Sequence, residues 1–276
     1  MTKTRRQMEK ILPLIDLVAE ICDARIPISS RNPDLTDIIK NKPRAILLNK
    51  CDMADKKTTE NWLAYFKKDG ITALPVDCRT GSGLSAFLPL VKNILKDRIE
   101  QNIKKGMAGK TLRIMVVGIP NVGKSSFINR MTNNKGAKVA NRPGITRGNQ
   151  WFSVDKTVEL LDTPGILWHK FDDKTVAENL AFTGAVKDTV MDIEALSLRL
   201  IETLVPLYNG FLIERYKLTE QQLLLPSVEI LEQIAINRGM KIKNNEVDYE
   251  RAANMLFEEF RNCKIGRISL EIPLDV

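Results

Sequence analysis

Cysteine and histidine are scarce in this sequence, with four of one and one of the other among 276 residues. The cysteines stand at 22, 51, 78 and 263, and no two form a C-x-x-C pair. That scatter argues against a disulfide framework or a cysteine-built zinc site; it reads as reduced core and loop residues. The single histidine, His169, is the one position at which an imidazole could act. Long hydrophobic runs are missing as well. The stretch 11–22, preceded by Lys3, Arg5 and Arg6, faintly imitates a signal peptide, but Pro13, Asp16 and Glu20 interrupt it. Neither a secretory segment nor a membrane span fits such a pattern, and the cytoplasm is the simplest location. Internal repeats and low-complexity tracts are also lacking. What remains is the composition of a globular protein, 43% hydrophobic and 28% charged, with room for one large domain or two smaller ones.

The net charge of +8 is unevenly spread. Residues 171–276 carry 12 basic and 18 acidic side chains, which leaves 30 basic and 16 acidic in residues 1–170. The plain reading of the basic part is solvated lysine-rich helices. The sharper one is a cationic face that meets a polyanion such as RNA.

Short apolar runs alternate with helical patterns through the first 170 residues, the signature of a doubly wound α/β sheet. Strands are expected at 17–22, 45–49, 72–76, 112–118 and 158–162, nearly continuous in apolar residues, as burial on both faces requires. Helices are expected at 34–41, 58–69, 84–104 and 124–131. The segment 104–110 reads as a Gly- and Lys-rich connector. Beyond Lys170 the pattern becomes all-helical, with helices at 194–204, 220–225, 227–238 and 249–261 and with Pro206 and Pro226 as breakers. The expected division is residues 1–172 and residues 173–276.

Three motifs carry chemistry. Gly118-Ile119-Pro120-Asn121-Val122-Gly123-Lys124-Ser125 is G-x-x-x-x-G-K-S, a P-loop, framed by an apolar strand and a helix start. Its backbone N–H groups and the helix N-terminus suit phosphate. Lys124 should reach the β- and γ-phosphates, and the Ser125 hydroxyl should ligate Mg²⁺; Asn121, Val122, Gly123 and Ser126 complete the cradle. Asn49-Lys50-Cys51-Asp52 is N-K-x-D at the end of a strand, where open α/β sheets bind ligands. The Asp52 carboxylate can accept from N1–H and the exocyclic amine of guanine, a pattern that adenine does not offer, so GTP is favoured and a P-loop kinase or ATPase is not. Asp162-Thr163-Pro164-Gly165 closes another strand; Asp162 is placed to reach Mg²⁺ and the Gly165 N–H to meet the γ-phosphate. Thr146, in Arg142-Pro143-Gly144-Ile145-Thr146, lies where a switch threonine that helps hold Mg²⁺ belongs. Lys124, Thr146 and Gly165 are thus the candidate catalytic set. The element that stacks on the base should follow Val76, where Asp77 and Cys78 stand, a poor match to the usual Ser-Ala. Ile166 occupies the place of a water-orienting glutamine, so catalysis comes from elsewhere or is slow; His169 is either a participant or a solvent-exposed side chain.

The order of these motifs is unusual. N-K-C-D precedes the P-loop by about seventy residues, whereas a Ras-like chain has it near the end. The chain reads as a circularly permuted Ras-like P-loop GTPase domain followed by a smaller helical domain. That order, with R-P-G-I-T, D-T-P-G-I-L-W, Asp23-Ala24-Arg25-Ile26-Pro27 and Lys264-Ile265-Gly266-Arg267, resembles the ribosome biogenesis GTPase A family (RbgA/YlqF) essentially end to end. The resemblance implies a GTPase that acts on a late precursor of the large ribosomal subunit, touching ribosomal RNA and proteins, with a helical C-terminal domain that helps contact RNA. It implies Mg²⁺ as cofactor and hydrolysis stimulated by the particle. It matches Ile166 to GTPases with a hydrophobic residue in place of glutamine, and Asn121 to an asparagine that holds K⁺ in potassium-activated relatives. The expected protein is monomeric and makes no membrane contact. The family's N-terminal Gly-His-Met supplies a histidine implicated in hydrolysis. Met1 takes the place of that methionine, so a late start of this sequence and a protein without the group both stay open. Two functional classes are therefore weighed, a GTP-hydrolysing assembly factor and an RNA-binding switch with little hydrolysis of its own. Switch II, from Gly165 to Lys170, runs straight into the helical part, so γ-phosphate contacts at Thr146 and Gly165 are expected to reposition it.

Overall fold

The structure, a computed structural model, describes residues 2–39, 42–132, 150–165, 173–186, 192–242 and 246–273. Thr146, Ile166 and His169 lie outside them. The chain divides into two compact units, one of residues 1–52, 56–170 and 271–276, the other of residues 53–55 and 171–270.

The first unit is built on a six-stranded sheet: β1 (Leu17–Asp23), β2 (Arg44–Asn49), β3 (Thr72–Val76), β4 (Leu112–Val117), β5 (Gln150–Ser153) and β6 (Val158–Asp162). Their order across the sheet is β3-β2-β1-β4-β6-β5, parallel throughout except for the antiparallel edge strand β5. The P-loop strand β4 thus sits centrally, between β1 and β6. Every residue of β1 is buried, as a strand covered on both faces demands. The helices of this unit are α1 (Thr2–Ile11), α2 (Pro33–Ile39), α3 (Lys56–Lys68), α4 (Phe87–Ile94), α5 (Lys96–Lys104) and α6 (Lys124–Met131). The single helix expected over 84–104 is instead a 3₁₀ turn, α4 and α5, jointed at Leu95 with φ −98° and ψ 14°. Leu95 stays buried at that joint, while α5 buries none of its own residues. Helix α1 and strand β5 were not expected; β5 is four residues long and pairs on one side only, so its period-2 signal is weak.

The second unit contains α7 (Lys174–Phe182), α8 (Ile193–Tyr216), α9 (Ser227–Asn237) and α10 (Tyr249–Arg261). Asp173, Asp192 and Asp248 each accept a backbone N–H from the first turn of the helix that follows, a stop-and-start signal for α7, α8 and α10. The helix expected to end at Leu204 runs through Pro206 to Tyr216. Proline's φ is compatible with helix, and the lost N–H is absorbed as a kink at Tyr208, φ −142° and ψ 39°. The Tyr208 hydroxyl anchors the kink, donating to Ser269 O at 3.0 Å and accepting from Ser269 N at 2.9 Å. Past the kink, Leu212 and Tyr216 join a buried cluster with Leu200, Leu231, Leu256 and Phe257, so packing overrides the breaker. By length and composition α8 is apolar enough to cross a bilayer. Its Arg199–Glu202 ion pair lies on the surface, and its apolar face packs in this core instead.

Candidate guanine-nucleotide site

The parallel strands deliver their carboxyl ends to one edge of the sheet. Asp23, Asn49, Val76, Val117 and Asp162 are the last residues of β1, β2, β3, β4 and β6. The P-loop leaves β4 and enters α6 at Lys124, so the first turn of α6 directs its free N–H groups at whatever lies in the loop. Gly123 precedes the helix at φ 102°, a left-handed conformation, and a Cβ there would lie 2.2 Å from the Asn49 amide nitrogen. Only glycine fits. Asn121 also adopts a positive φ, 62°, in the exposed turn of the loop. Ser125 and Ser126 are exposed in the first turn of α6.

Asn49 joins the parts that the sequence keeps apart. Its amide nitrogen donates to Val122 O, 73 residues away, at 2.6 Å, and its amide oxygen accepts the Cys78 N–H at 2.9 Å. One buried side chain thereby fixes the P-loop and the loop after β3 to the end of β2. Cys51 N–H donates to Val76 O at 3.2 Å, which ties the loop after β2 to the end of β3.

Lys50 adopts φ 61° and turns its ammonium to Asp23 Oδ2 at 2.9 Å. Asp23 also receives Arg25, through Nε at 3.0 Å and Nη2 at 2.8 Å, with both side chains almost fully buried. Burial opposes the charge on Asp23, yet Arg25 and Lys50 hold its carboxyl well below the usual carboxylate range. Asp23 and Arg25 were expected only as part of a family signature. Their role in holding Lys50 has a visible signal in hindsight: a carboxylate that closes a fully buried strand, with an arginine two residues on.

Asp52 Oδ1 is buried and has no hydrogen-bond partner among the described residues, while Oδ2 pairs with Arg79 Nη2 at 3.3 Å. An orphaned carboxylate oxygen is what a base with an N–H edge would satisfy. Asp77 behaves differently from the base-stacking element expected at that point. Its Oδ1 accepts from the N–H groups of Arg79 at 2.8 Å and Thr80 at 3.2 Å, and its Oδ2 from the Thr80 hydroxyl at 2.5 Å. It closes its own turn. Burial, with Asp77 and Cys51 adding, pushes the Cys78 thiol up to about 12, so it stays neutral and contributes its backbone N–H.

On the other side, Lys124 Nζ donates to Gly118 O at 3.0 Å and Ile119 O at 2.8 Å, inside its own loop. Burial pushes this ammonium down to about 8, with Asp162 acting the other way. Asp162 itself is raised by burial, offset in part by Lys124 and a Thr163 N–H. Phosphate would favour the charged ammonium and a cation the charged carboxylate, so Asp162 and Ser125 suit Mg²⁺. Gly165 stands at the same spot, since a Cβ on it would lie 2.8 Å from Lys124 Nζ. The structure therefore brings together Asn49 to Asp52, Asp77, Cys78, the P-loop residues, Asp162 and Gly165.

A Ras-like sheet in permuted order, with a P-loop at its centre and N-K-x-D on β2, defines a circularly permuted P-loop GTPase. Comparison with known proteins places it further. The profile of the 50S ribosome-binding GTPase family matches residues 113–209. The ribosome biogenesis GTPase A of Priestia megaterium is 44% identical over 276 residues, covering 99% of this chain and 94% of that protein. The Bacillus licheniformis protein of the same name is 42% identical over 278 residues, covering 100% and 97%. Among solved structures, GDP-bound YlqF is 30% identical with a TM-score of 0.69, covering 97% of this chain and 99% of that one. GNP-bound YlqF from Thermotoga maritima is 28% identical with a TM-score of 0.67, covering 99% and 100%. The chain belongs to the ribosome biogenesis GTPase A family, and is a GTPase.

Proposed function

We propose that this protein binds GTP at the edge formed by β1, β2, β4 and β6 and hydrolyses it while promoting late maturation of the large ribosomal subunit in the cytoplasm. The observation that carries the nucleotide assignment is Asn49, which couples the guanine-reading strand end to the P-loop, beside the orphaned Asp52 Oδ1. Asn49 fixes the loops. Asp52 accepts from the guanine edge, and Lys50, held by Asp23, lies along the nucleotide. Lys124 leaves the carbonyls of Gly118 and Ile119 to meet the β- and γ-phosphates, which favour its charged form. Ser125, Asp162 and Thr146 hold Mg²⁺, which when bound neutralises charge on the phosphate oxygens. Asn121 offers an amide oxygen to K⁺, a second source of positive charge where glutamine is replaced by Ile166. Gly165 N–H holds the γ-phosphate and, through residues 166–170, links its presence to the helical part.

The partner is a precursor of the large ribosomal subunit, through its RNA and proteins. Residues 1–172, with a net charge opposite in sign to the remainder, supply most of the attraction to RNA, and residues 173–276 use local patches such as Lys264 with Arg267. Ile166 favours a second reading, a switch that hydrolyses slowly until another group completes it.

Replacing Asp52 by Asn tests the base assignment. The amide turns one acceptor into a donor suited to the 2-oxo group of xanthine. GTP affinity should fall by on the order of 100-fold, with XTP gaining. An unchanged preference for GTP would remove Asp52 from the site. Thr146→Ala should weaken ribosome association in GTP while sparing GDP binding; unaltered association would count against the switch role.

A further inference from the structure

Glu271, near the C-terminal end of the chain, makes more polar contacts than an ordinary tail residue. Its carboxylate accepts the Ile28 N–H at 2.6 Å, the Ser29 N–H at 2.8 Å and the Ser29 hydroxyl. Its backbone carbonyl accepts the indole N–H of Trp62, a buried residue of α3, at 3.0 Å. The contacts therefore close sequence gaps of 209 to 243 residues.

The segment held in this way is residues 24–32, the turn that follows β1. Ser29, Ser30 and Asn32 in it are polar yet buried. The next hydroxyl along, Ser30 Oγ, accepts the N–H of Asp23 at 3.0 Å. Asp23 carries the ion pair to Lys50. The Glu271 carboxylate thus connects to the lysine of N-K-C-D through Ser29, its chain neighbour Ser30, and Asp23. The links are hydrogen bonds and one ion pair, joined by the peptide bond between Ser29 and Ser30 and by Asp23 itself, and Ser29, Ser30 and Asp23 are buried, where such contacts hold geometry most strictly.

We infer that Glu271 is a positioning residue for guanine-nucleotide binding, acting through the 24–32 turn and Asp23 on Lys50. This rests on the assignment of N-K-C-D to the base site. It extends that assignment by placing one determinant of affinity at the far end of the chain, immediately after the helical residues, where no nucleotide motif lies. Glu271 touches no reacting atom, so its removal should raise the KM for GTP and leave kcat in place.

A double-mutant cycle on the full chain tests it, with affinity read by a fluorescent GDP analogue and with turnover and thermal midpoint measured alongside. Lys50→Ala should weaken binding by at least about tenfold, and Glu271→Ala by about fivefold. In the Lys50→Ala background, Glu271→Ala should add nothing. Glu271→Gln, which keeps one carbonyl acceptor and the same shape, should fall between. Equal loss from Glu271→Ala in both backgrounds, or loss that merely follows a lowered thermal midpoint, would overturn the positioning role. So would a Glu271→Ala protein that binds as the parent does while Lys50→Ala binds weakly. If Lys50→Ala itself leaves affinity intact, the base-site assignment fails, and the positioning role with it.

Discussion

The sheet unit and the helical unit bury different things. Around the sheet, Asp16, Glu20, Asp23, Arg25 and Asp77 are all buried charged residues, and Asn49 is buried among them. In the helical unit the buried charged residue among those described is Glu259, paired with Arg215 and with Arg238 at 3.5 Å. Most of the rest of that core is an apolar cluster of α8, α9 and α10, with Asn179, Thr183, Ser197 and Ser269 as its buried uncharged polar residues. Burying charge is unfavourable unless it is paired, so a fold keeps it where geometry has to be held. One core keeps Asp23, Arg25 and Asp77 of its buried charges at or just past the carboxyl ends of its strands, where the candidate site lies. The other is organised around its own packing.

The first way to break this contrast is Phe257→Ala. Phe257 is buried and stacked on Phe182 at 6.2 Å, with the Arg261 guanidinium 5.2 Å from its ring centroid. The change should cost the helical unit about 3–5 kcal/mol, seen as a lowered thermal midpoint, with GDP affinity at 25 °C unaltered. Parallel loss of affinity would mean the two cores are not energetically distinct. Gly123→Ala should do the reverse, weakening GDP binding by on the order of 100-fold with a much smaller change in midpoint. Its Cβ displaces Asn49, and the backbone there favours glycine. Asn49→Ala should follow at about tenfold, since it removes two hydrogen bonds that set the loops.

The smallest effect is a pH dependence. Lys124 sits near 8 in the folded protein, below its ordinary value near 10.5. A lowered lysine is a liability to stability at neutral pH, and the liability fades as pH rises above 8. Phosphate needs the charged form, so affinity runs the other way. GDP binding should weaken about fourfold between pH 7 and 8.5, and a Lys124→Arg protein should lose that dependence. A flat profile in the parent would take Lys124 off the phosphates.

The candidate nucleotide site was largely legible before the fold was known, because phosphate and guanine recognition depend on residue types at fixed local spacing. G-x-x-x-x-G-K-S, N-K-x-D and D-T-P-G each report on themselves. The parallel strands were legible for a related reason, since burial on both faces leaves an apolar run. What could not be read was whatever depends on distant partners. Asn49 bridging to Val122, Asp23 holding Lys50, and Glu271 reaching Ser29 are contacts across 73, 27 and 242 residues. Asp77 was read as a residue of the base site, and what the sequence did not show is that its carboxylate closes its own turn, accepting the N–H groups of Arg79 and Thr80. Pro206 looked like a stop, and the packing of Leu212 and Tyr216 carries α8 past it.

The central claim is that a sheet-borne GTP site serves work on the ribosome. Its most direct test is GTP turnover by the full chain in KCl, with and without purified large ribosomal subunits. The account predicts stimulation of at least about tenfold by the subunits, equivalent to about 1.4 kcal/mol off the barrier, and less in NaCl. Tight GTP binding with turnover that the subunits leave unchanged would contradict it.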